Sequence, residues 1–549
     1  MTEAQGALGL IDWLVIAAYL AGLVAIALYQ SRRIKAQDDY FLAGRSMSRW
    51  PIALSMYMAL FSTNSFIGVT GWVNRPDGTV WVGLLSVGVI TSVPLVVLLY
   101  PTIFHQLKIT TAYEYLERRF DYSVRGFAAL FFLANRTMWM ATMSYAAGLV
   151  VSQILGWSEF AAIDGAIGVV VMVGTLLAVI GGMRAVIWTD AAQFFVLFGG
   201  VVSMVVASVW FGGGFGETIA RAADAGKFDP PPLASFSGFS ILSALMLGFF
   251  SYLSGAGTDQ VLLQTYLSAK SDKEAKKSLI INGFFLKPLS LIFPLLGLFL
   301  FTYYAIHPEV AALMRVPDDA VPVFVRHVLP IGLRGIILAA ILSAVVDSLA
   351  SGLAAWSACT QVDFIKRWQK RSWSDRFSVL IGRLLVVLGG ITVLVSALFV
   401  RRIGENSNII EVLNVVMYPF AGVLLGIVLL GLLTLRATPG GTLIGAVIGF
   451  ATVLSTPLAS RVVGLIEGGT LVPSEQVTEA LRFLADISSF YSAGIGASVT
   501  FIAGYLFSFL FRAPQAEKVD GLTLHTRPSD EGREVEPQYQ TQAQQSAQK

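Results

Sequence analysis

Ala344, Asp347, Ser348 and Ser351 are spaced i, i+3, i+4 and i+7 within a long apolar run. That spacing places them on one helical stripe. A carboxylate, two hydroxyls and one small residue form a surface of hard oxygen donors. Such a surface suits an alkali cation, which prefers oxygen and has no use for sulfur or imidazole. Hydrogen bonding between helices by a serine-rich face explains the same spacing equally well. Three further ionisable residues sit in apolar runs: Arg136, Asp190 and Lys287, the last beside Pro288. Each is expensive at membrane depth unless it is paired, so each marks a site or a structural pair. The four histidines are far apart with no HExxH spacing, and Cys359 is the one cysteine. A zinc protease centre, an internal disulfide and a cysteine metal cluster are therefore not expected.

Two apolar runs are interrupted by polarity. Residues 61–68 read Phe-Ser-Thr-Asn-Ser-Phe-Ile-Gly, and residues 254–260 read Ser-Gly-Ala-Gly-Thr-Asp-Gln. Breaks of this kind free backbone carbonyls to face a ligand. Small residues that merely permit close helix packing are the alternative for either segment alone. Two such segments five spans apart fit a five-helix inverted repeat. A solute pocket drawn from the breaks would use Ser62, Asn64 and Ser65 with Tyr252, Ser254 and Thr258. Arg136 would pair either with a solute carboxylate, bidentately, or with Asp259 or a helix end, the second being slightly favoured. Lys287 reads the same way more weakly, and Glu411 and Asn414 would close an outer gate.

The elements that must position these residues follow from composition. The chain has 549 residues, 55% hydrophobic, 12% aromatic and only 13% charged, and a mean hydropathy of +0.70. Soluble domains carry about 25% charge, so the apolar surplus faces lipid and the protein is polytopic. The net charge of +3 belongs in the loops of such a protein and does not imply nucleic-acid binding. About 13 spans of roughly 20 apolar residues fit, near 10–30, 50–73, 78–104, 126–155, 161–182, 186–212, 237–267, 277–306, 332–360, 377–400, 408–434, 438–459 and 488–512.

Arg32, Arg33 and Lys35 follow the first span and no positive charge precedes it. It is not a cleaved signal peptide, and the N-terminus is expected outside. Lys and Arg then recur in alternate loops, which leaves the C-terminus inside a multi-pass cell-membrane protein. The expected organisation is an N-terminal helix and loop (1–46), five helices (47–212), an external loop (213–236), five more helices (237–435), two C-terminal helices with an external loop (436–512) and a tail (513–549). The tail is rich in Gln, Glu and Pro and is expected to be disordered. Residues 460–486 are expected as an external loop with a short helix at 473–483.

Four segments resemble the sodium:solute symporter family, which includes sodium/glucose, proline, pantothenate, sialic-acid, iodide and monocarboxylate carriers. They are Asp-Tyr-Phe-Leu-Ala-Gly-Arg-Ser at 39–46, Leu-Lys-Ile-Thr-Thr-Ala-Tyr-Glu-Tyr-Leu-Glu-Arg-Arg-Phe at 107–120, Gly-Gly-Met-Arg-Ala-Val-Ile-Trp-Thr-Asp at 181–190 followed by Gln193, and the stretch from Ala339 through Asp347-Ser348-Leu349-Ala350-Ser351 to Asp363. The resemblance implies an all-α membrane protein with a leucine-transporter-type 5+5 inverted-repeat core, spans 2–6 and 7–11, broken at spans two and seven. It further implies a main sodium site between spans two and nine. Carbonyls of Met58, Phe61 and Ala344 and the side chains of Asp347 and Ser348, sixteen residues before Asp363, would form it. A possible second site would use Asp190 and Ser351. The family usually has two hydroxyls where this chain has Asp347-Ser348. A carboxylate there would hold sodium more tightly, or titrate and carry protons, or signal a shifted alignment.

The expected activity is sodium-coupled import of a small polar solute by alternating access. The partners are sodium, the solute and the bilayer, with no obligate protein partner. The stretch Tyr252-Leu-Ser-Gly-Ala-Gly lacks the Asn and bulky aromatics of sugar carriers and favours a small carboxylate or amino acid. The rival readings are a proton-coupled carrier of the same fold, a solute sensor that does not transport, and a membrane enzyme. The last lacks a cluster of catalytic His or carboxylate residues at a membrane face.

Overall fold

The computed structural model describes residues 8–60, 64–157, 160–368, 373–404, 409–468 and 474–526, with the backbone alone described for 64–65, 160–161, 403–404 and 409–419. Among these residues the architecture is helical, with one isolated bridge between Met47 and Ala269. The spanning helices in chain order are α1 (Leu10–Ser31), α2a (Arg49–Leu60) and α2b (Val69–Asn74), α3 (Leu84–Leu99), α4 (Tyr122–Leu155), Phe160–Phe211 comprising α5 and α6, α7a (Ile241–Thr258) and α7b (Gln260–Leu267), α8a (Asp272–Ile280) and α8b (Ile292–Ile306), α9 (Leu333–Cys359), α10 (Asp375–Gly404), α11 (Ile409–Leu433), α12 (Pro439–Glu467) and α13 (Ser492–Phe507). Ten described helices are long and apolar enough to cross a membrane. Counting α5 and α6 separately and adding the interrupted α2 and α11 yields the thirteen runs anticipated. Outward faces carry exposed Phe195, Trp210, Leu384, Ile391, Phe399 and Ile502, side chains that only hydrocarbon covers.

Each break has a local cause. Between α5 and α6 the backbone at Gly182 takes φ 55° and ψ −167°, a conformation open essentially to glycine. At Asp259 the chain leaves the helix (φ −81°, ψ 116°), and the Asp259 carboxylate restarts it as α7b by accepting from the Val261 amide at 2.8 Å. Between α8a and α8b, a π turn at Ile281–Leu286 and a 3-10 turn at Lys287–Leu291 absorb Pro288, which has no amide to donate.

Packing obeys a shift of five helices. Helix α3 crosses α7a so closely that a Cβ on Gly88 would lie 2.3 Å from the Leu245 carbonyl oxygen, and one on Gly248 would lie 2.1 Å from that of Leu85. The equivalent crossing, α8b on α2b, brings Gly297 against the Thr70 carbonyl. Tyr57 on α2a meets Phe194 on α6 with ring centroids 5.4 Å apart, and Ser254 on α7a donates to the Ala421 carbonyl on α11 at 2.7 Å. Helix α9 lies along α5 (Leu349 at Gly174) and α6 (Ala340 at Gly200), as α4 lies along α10 and α11. Exchanging each of α2–α6 with the helix numbered five higher maps these contacts onto one another.

Three expected boundaries move. Residues 460–467 continue α12, and the helix expected at 473–483 is Glu475–Asp486. The stretch 213–236, expected as an external loop, contains the helix Phe215–Asp224. Residues 513–526 of the expected disordered tail are placed against the bundle: Tyr115 donates to the Leu522 carbonyl at 2.9 Å, the Leu524 amide to Leu432 at 2.8 Å, and Lys518 Nζ to the Glu117 carbonyl at 3.2 Å. Buried Val519 and Leu522 anchor this stretch, a local apolar signal that the polar average of the whole tail hides. Residues 527–549 lie outside the described residues.

Candidate ion and solute site

The ridge on α9 points into the bundle. Ala344, Asp347, Ser348 and Ser351 are all buried, and α9 packs against α2a as well as α6. Asp190 comes from α6, where its carboxylate accepts a hydrogen bond from Ser55 on α2a. The Asp190 and Asp347 carboxyls face each other at hydrogen-bonding range. Among the described residues no donor reaches either Asp347 oxygen or Asp190 Oδ1. One turn past Asp190, Gln193 Oε1 accepts from Ser343 on α9 at 3.3 Å while its buried Nε2 has no acceptor among the described residues. The Tyr19 hydroxyl of α1 lies against Ser343 and close to both carboxyls. Four helices thus enclose two carboxyls whose free lone pairs converge. Two buried carboxylates in contact cannot both stay ionised unless a cation compensates them, and uncompensated lone pairs on oxygen are what a hard monovalent ion takes.

The other expected ligands are placed less directly. Met58 is buried on α2a, one turn beyond Ser55. Ser348 Oγ donates to the Ala344 carbonyl at 2.9 Å, and Ser351 Oγ to the Ser348 carbonyl at 3.4 Å. Asp190 therefore sits with Asp347 and Ser55, while the Ser351 hydroxyl bonds to its own helix. Phe61 and Ser62 lie outside the described residues, as do the side chains of Asn64, Ser65, Glu411 and Asn414.

On the α7 side the expected solute ligands have protein partners. Tyr252 donates to Asn282 Oδ1 at 3.0 Å, and Asn282 in turn donates to the Ala53 carbonyl at 3.0 Å. Ser254 is spent on Ala421, and Thr258 Oγ1 bonds back to the Ser254 carbonyl at 2.9 Å. Tyrosine hydroxyls take the carbonyls near the break: Tyr100 that of Leu253 at 3.0 Å, Tyr266 that of Ala256 at 3.0 Å and Tyr113 that of Thr258 at 2.9 Å.

Arg136 behaves differently. It is 4% exposed, yet its pair with Asp259 is loose, with Nη1 3.5 Å from Oδ2. Nη2 donates to the Ser348 carbonyl at 3.4 Å, Nε has no partner among the described residues, and the guanidinium lies 4.0 Å over the Trp139 ring. A buried guanidinium with spare donors, at a helix break, is suited to a second carboxylate. Lys287 lies elsewhere, with Nζ 5.3 Å from the Tyr57 ring centroid.

Sequence reasoning reached Asp347, Asp190 and Arg136 through the cost of burying charge. It missed Ser55, Ser343 and Tyr19, which carry no such signal singly. The i, i+4 spacing of Ser343 and Asp347 was the available hint.

The model of the sodium:solute symporter family matches residues 40–449. The chain belongs to this family. It is 29% identical to the sodium/sialic acid symporter SiaT of Proteus mirabilis (strain HI4320), over 93% of this chain and 97% of that protein. It is also 29% identical to the sodium-coupled monocarboxylate transporter 1 of Homo sapiens, over 82% of this chain and 74% of that protein. A solved Na+-coupled sialic acid symporter in a substrate-bound outward-open state superposes with a TM-score of 0.79 at 26% identity, covering 92% of this chain and 99% of that one. The fold extends to MhsT in complex with L-phenylalanine, at a TM-score of 0.50 and 16% identity over 85% of this chain and 98% of that one. This symporter is thus a multi-pass membrane protein with a leucine-transporter-type fold, and its coupling ion is sodium.

Proposed function

We propose that this symporter imports a small carboxylate-bearing solute, with Arg136 as the carboxylate anchor and the Asp190–Asp347 cluster as the sodium site. The observation that carries the solute class is the buried guanidinium with an unpartnered Nε and a loose partner. The relatives named for sialic acid and monocarboxylates carry acids, in keeping with it. Asp259 holds the place of the incoming carboxylate: the solute displaces it from Arg136, and Asp259 keeps its second role as the cap of α7b.

Sodium would be held by Asp347, Asp190 and Ser348, with carbonyls of Met58, Phe61 and Ala344 completing its shell. Ser351 would serve a second ion. The solute would take further contacts from Ser62, Asn64 and Ser65, and from Ser254, Thr258 and Tyr252 once the pocket opens and their present bonds exchange. Coupling follows from adjacency, because Arg136 Nη2 reaches the carbonyl of Ser348, the residue after Asp347. An ion that fixes α9 against α2a and α6 also fixes the far side of the Arg136 pocket, so each ligand lowers the ordering cost of the other. Sodium moving inward releases about 2.3 kcal/mol per charge per 100 mV. The symmetric halves then rock about the midplane site. The Lys and Arg pattern of the loops supports an N-terminus outside the cell and a C-terminus inside.

In proteoliposomes, a sodium gradient is expected to drive uptake of a small organic acid. Arg136→Ala lowers that uptake at least about tenfold, the equivalent of one charge-assisted pair, and spares a neutral analogue. Equal loss for both would make Arg136 structural.

A further inference from the structure

At the membrane face bearing Arg32, Arg33, Arg49 and Arg184, helices α1, α2a and α6 leave an outward-opening cleft of about 810 Å³. Its walls include Tyr29, Trp50, Trp188 and Phe195, all exposed. Four large aromatics open to the outside are at home where hydrocarbon meets headgroups, the depth at which Trp and Tyr concentrate. The rim is cationic. The Arg33 guanidinium lies 5.7 Å over the Tyr29 ring. Arg184 stands one turn before Trp188 on α6; its Nη1 donates to Ser46 Oγ at 3.2 Å, while its buried Nε has no partner among the described residues. Arg49, between wall residues Ser48 and Trp50, is paired at 3.2 Å with Glu274 and so adds less. An apolar cleft under free guanidinium donors matches one kind of molecule, an amphiphile with a negative head.

We propose that this cleft binds an anionic phospholipid, one acyl chain lying between Tyr29, Trp188 and Phe195 and the phosphate on Arg33 and Arg184. A small free anion would leave the aromatic walls uncovered. A zwitterionic lipid brings an ammonium that the rim repels, and gains less from it. The cleft is also the outer side of the ion site. Leu54 in its wall precedes Ser55, the donor to Asp190, and Trp188 and Ala191 flank Asp190 itself. A chain lodged there holds α1, α2a and α6 in the arrangement that seats Ser55 on Asp190.

The test is tryptophan quenching of the full-length protein in phosphatidylcholine vesicles doped with either acyl-brominated phosphatidylglycerol or acyl-brominated phosphatidylcholine at equal mole fraction. The expected result is a preference for phosphatidylglycerol of roughly fivefold per engaged arginine. It falls to none in the Arg33→Gln/Arg184→Gln double variant. Replacing both tryptophans of the cleft, Trp50→Phe with Trp188→Phe, removes the phosphatidylglycerol-specific increment of quenching while keeping both arginines, so the proposal stays testable if the double arginine variant fails to fold. Equal quenching by the two lipids in the unaltered protein overturns it, as does a preference that survives either change.

Discussion

A carboxylate at position 347 changes what the ridge on α9 can hold. A hydroxyl pair offers an ion two neutral oxygens; Asp347 offers a carboxyl, opposite a second carboxyl on Asp190. The cost of burying both is what the proposed reading assigns to a cation, and it explains why these two residues were visible in the sequence at all. Ser55 and Tyr19 were not, because a serine or tyrosine in an apolar helix usually satisfies itself locally. A third carboxylate shows the same physics away from the membrane core. Asp318, in the turn Pro317–Asp319, is pressed against Gly71 of α2b, and burial pushes its carboxyl up from 3.8 to about 6 despite the nearby Arg75. Because the folded state favours its protonated form, the group costs nothing below the unfolded value and its full penalty appears above pH 6. Asp318→Asn is therefore expected to raise the melting temperature at pH 8 by about a degree or two and by only about half as much at pH 5, where part of the penalty has yet to appear. A gain of equal size at both would assign the effect to packing.

Helix breaks are the element on which the site depends, and they were unevenly legible. The run Ser-Gly-Ala-Gly-Thr-Asp-Gln announced the break in α7 through its glycines and through an Asp able to cap the second half-helix. It could not announce that the carbonyls near that break are already taken by Tyr100, Tyr113 and Tyr266, two of which come from distant parts of the chain. Pairings between segments far apart leave no local pattern. The turn between α5 and α6 rests on a single residue. A Cβ on Gly182 would meet the Tyr40 ring at 2.7 Å and its carbonyl oxygen at 2.8 Å, on a backbone with φ 55°. Gly182→Ala is expected to cost about 2 kcal/mol or more, read as a lower melting temperature of the purified protein. An unchanged melt would mean that the turn relaxes freely. Tyr113→Phe leaves the Thr258 carbonyl without its donor and should cost about 1 kcal/mol, read the same way.

At the scale of the whole molecule, the five-helix shift that maps α2–α6 onto α7–α11 is what brings α9 against the first broken helix and α4 against the second. Span number and order were legible because bilayer thickness fixes the length of an apolar run. The docking of residues 513–526 was not, since it depends on a few apolar residues in a polar stretch. The Asp190–Asp347 cluster and Arg136 are joined through Ser348, so in the proposed reading gradient and solute are coupled by the scaffold itself. A pH gradient without sodium is accordingly expected to drive no uptake in proteoliposomes; uptake under that condition would make Asp347 a proton carrier. The most direct measurement is binding of isotopic sodium to the purified protein with and without an organic-acid solute. The account predicts saturable binding that the acid tightens, abolished by Asp347→Ala with the melting curve intact. Sodium binding of undiminished affinity in Asp347→Ala would contradict it.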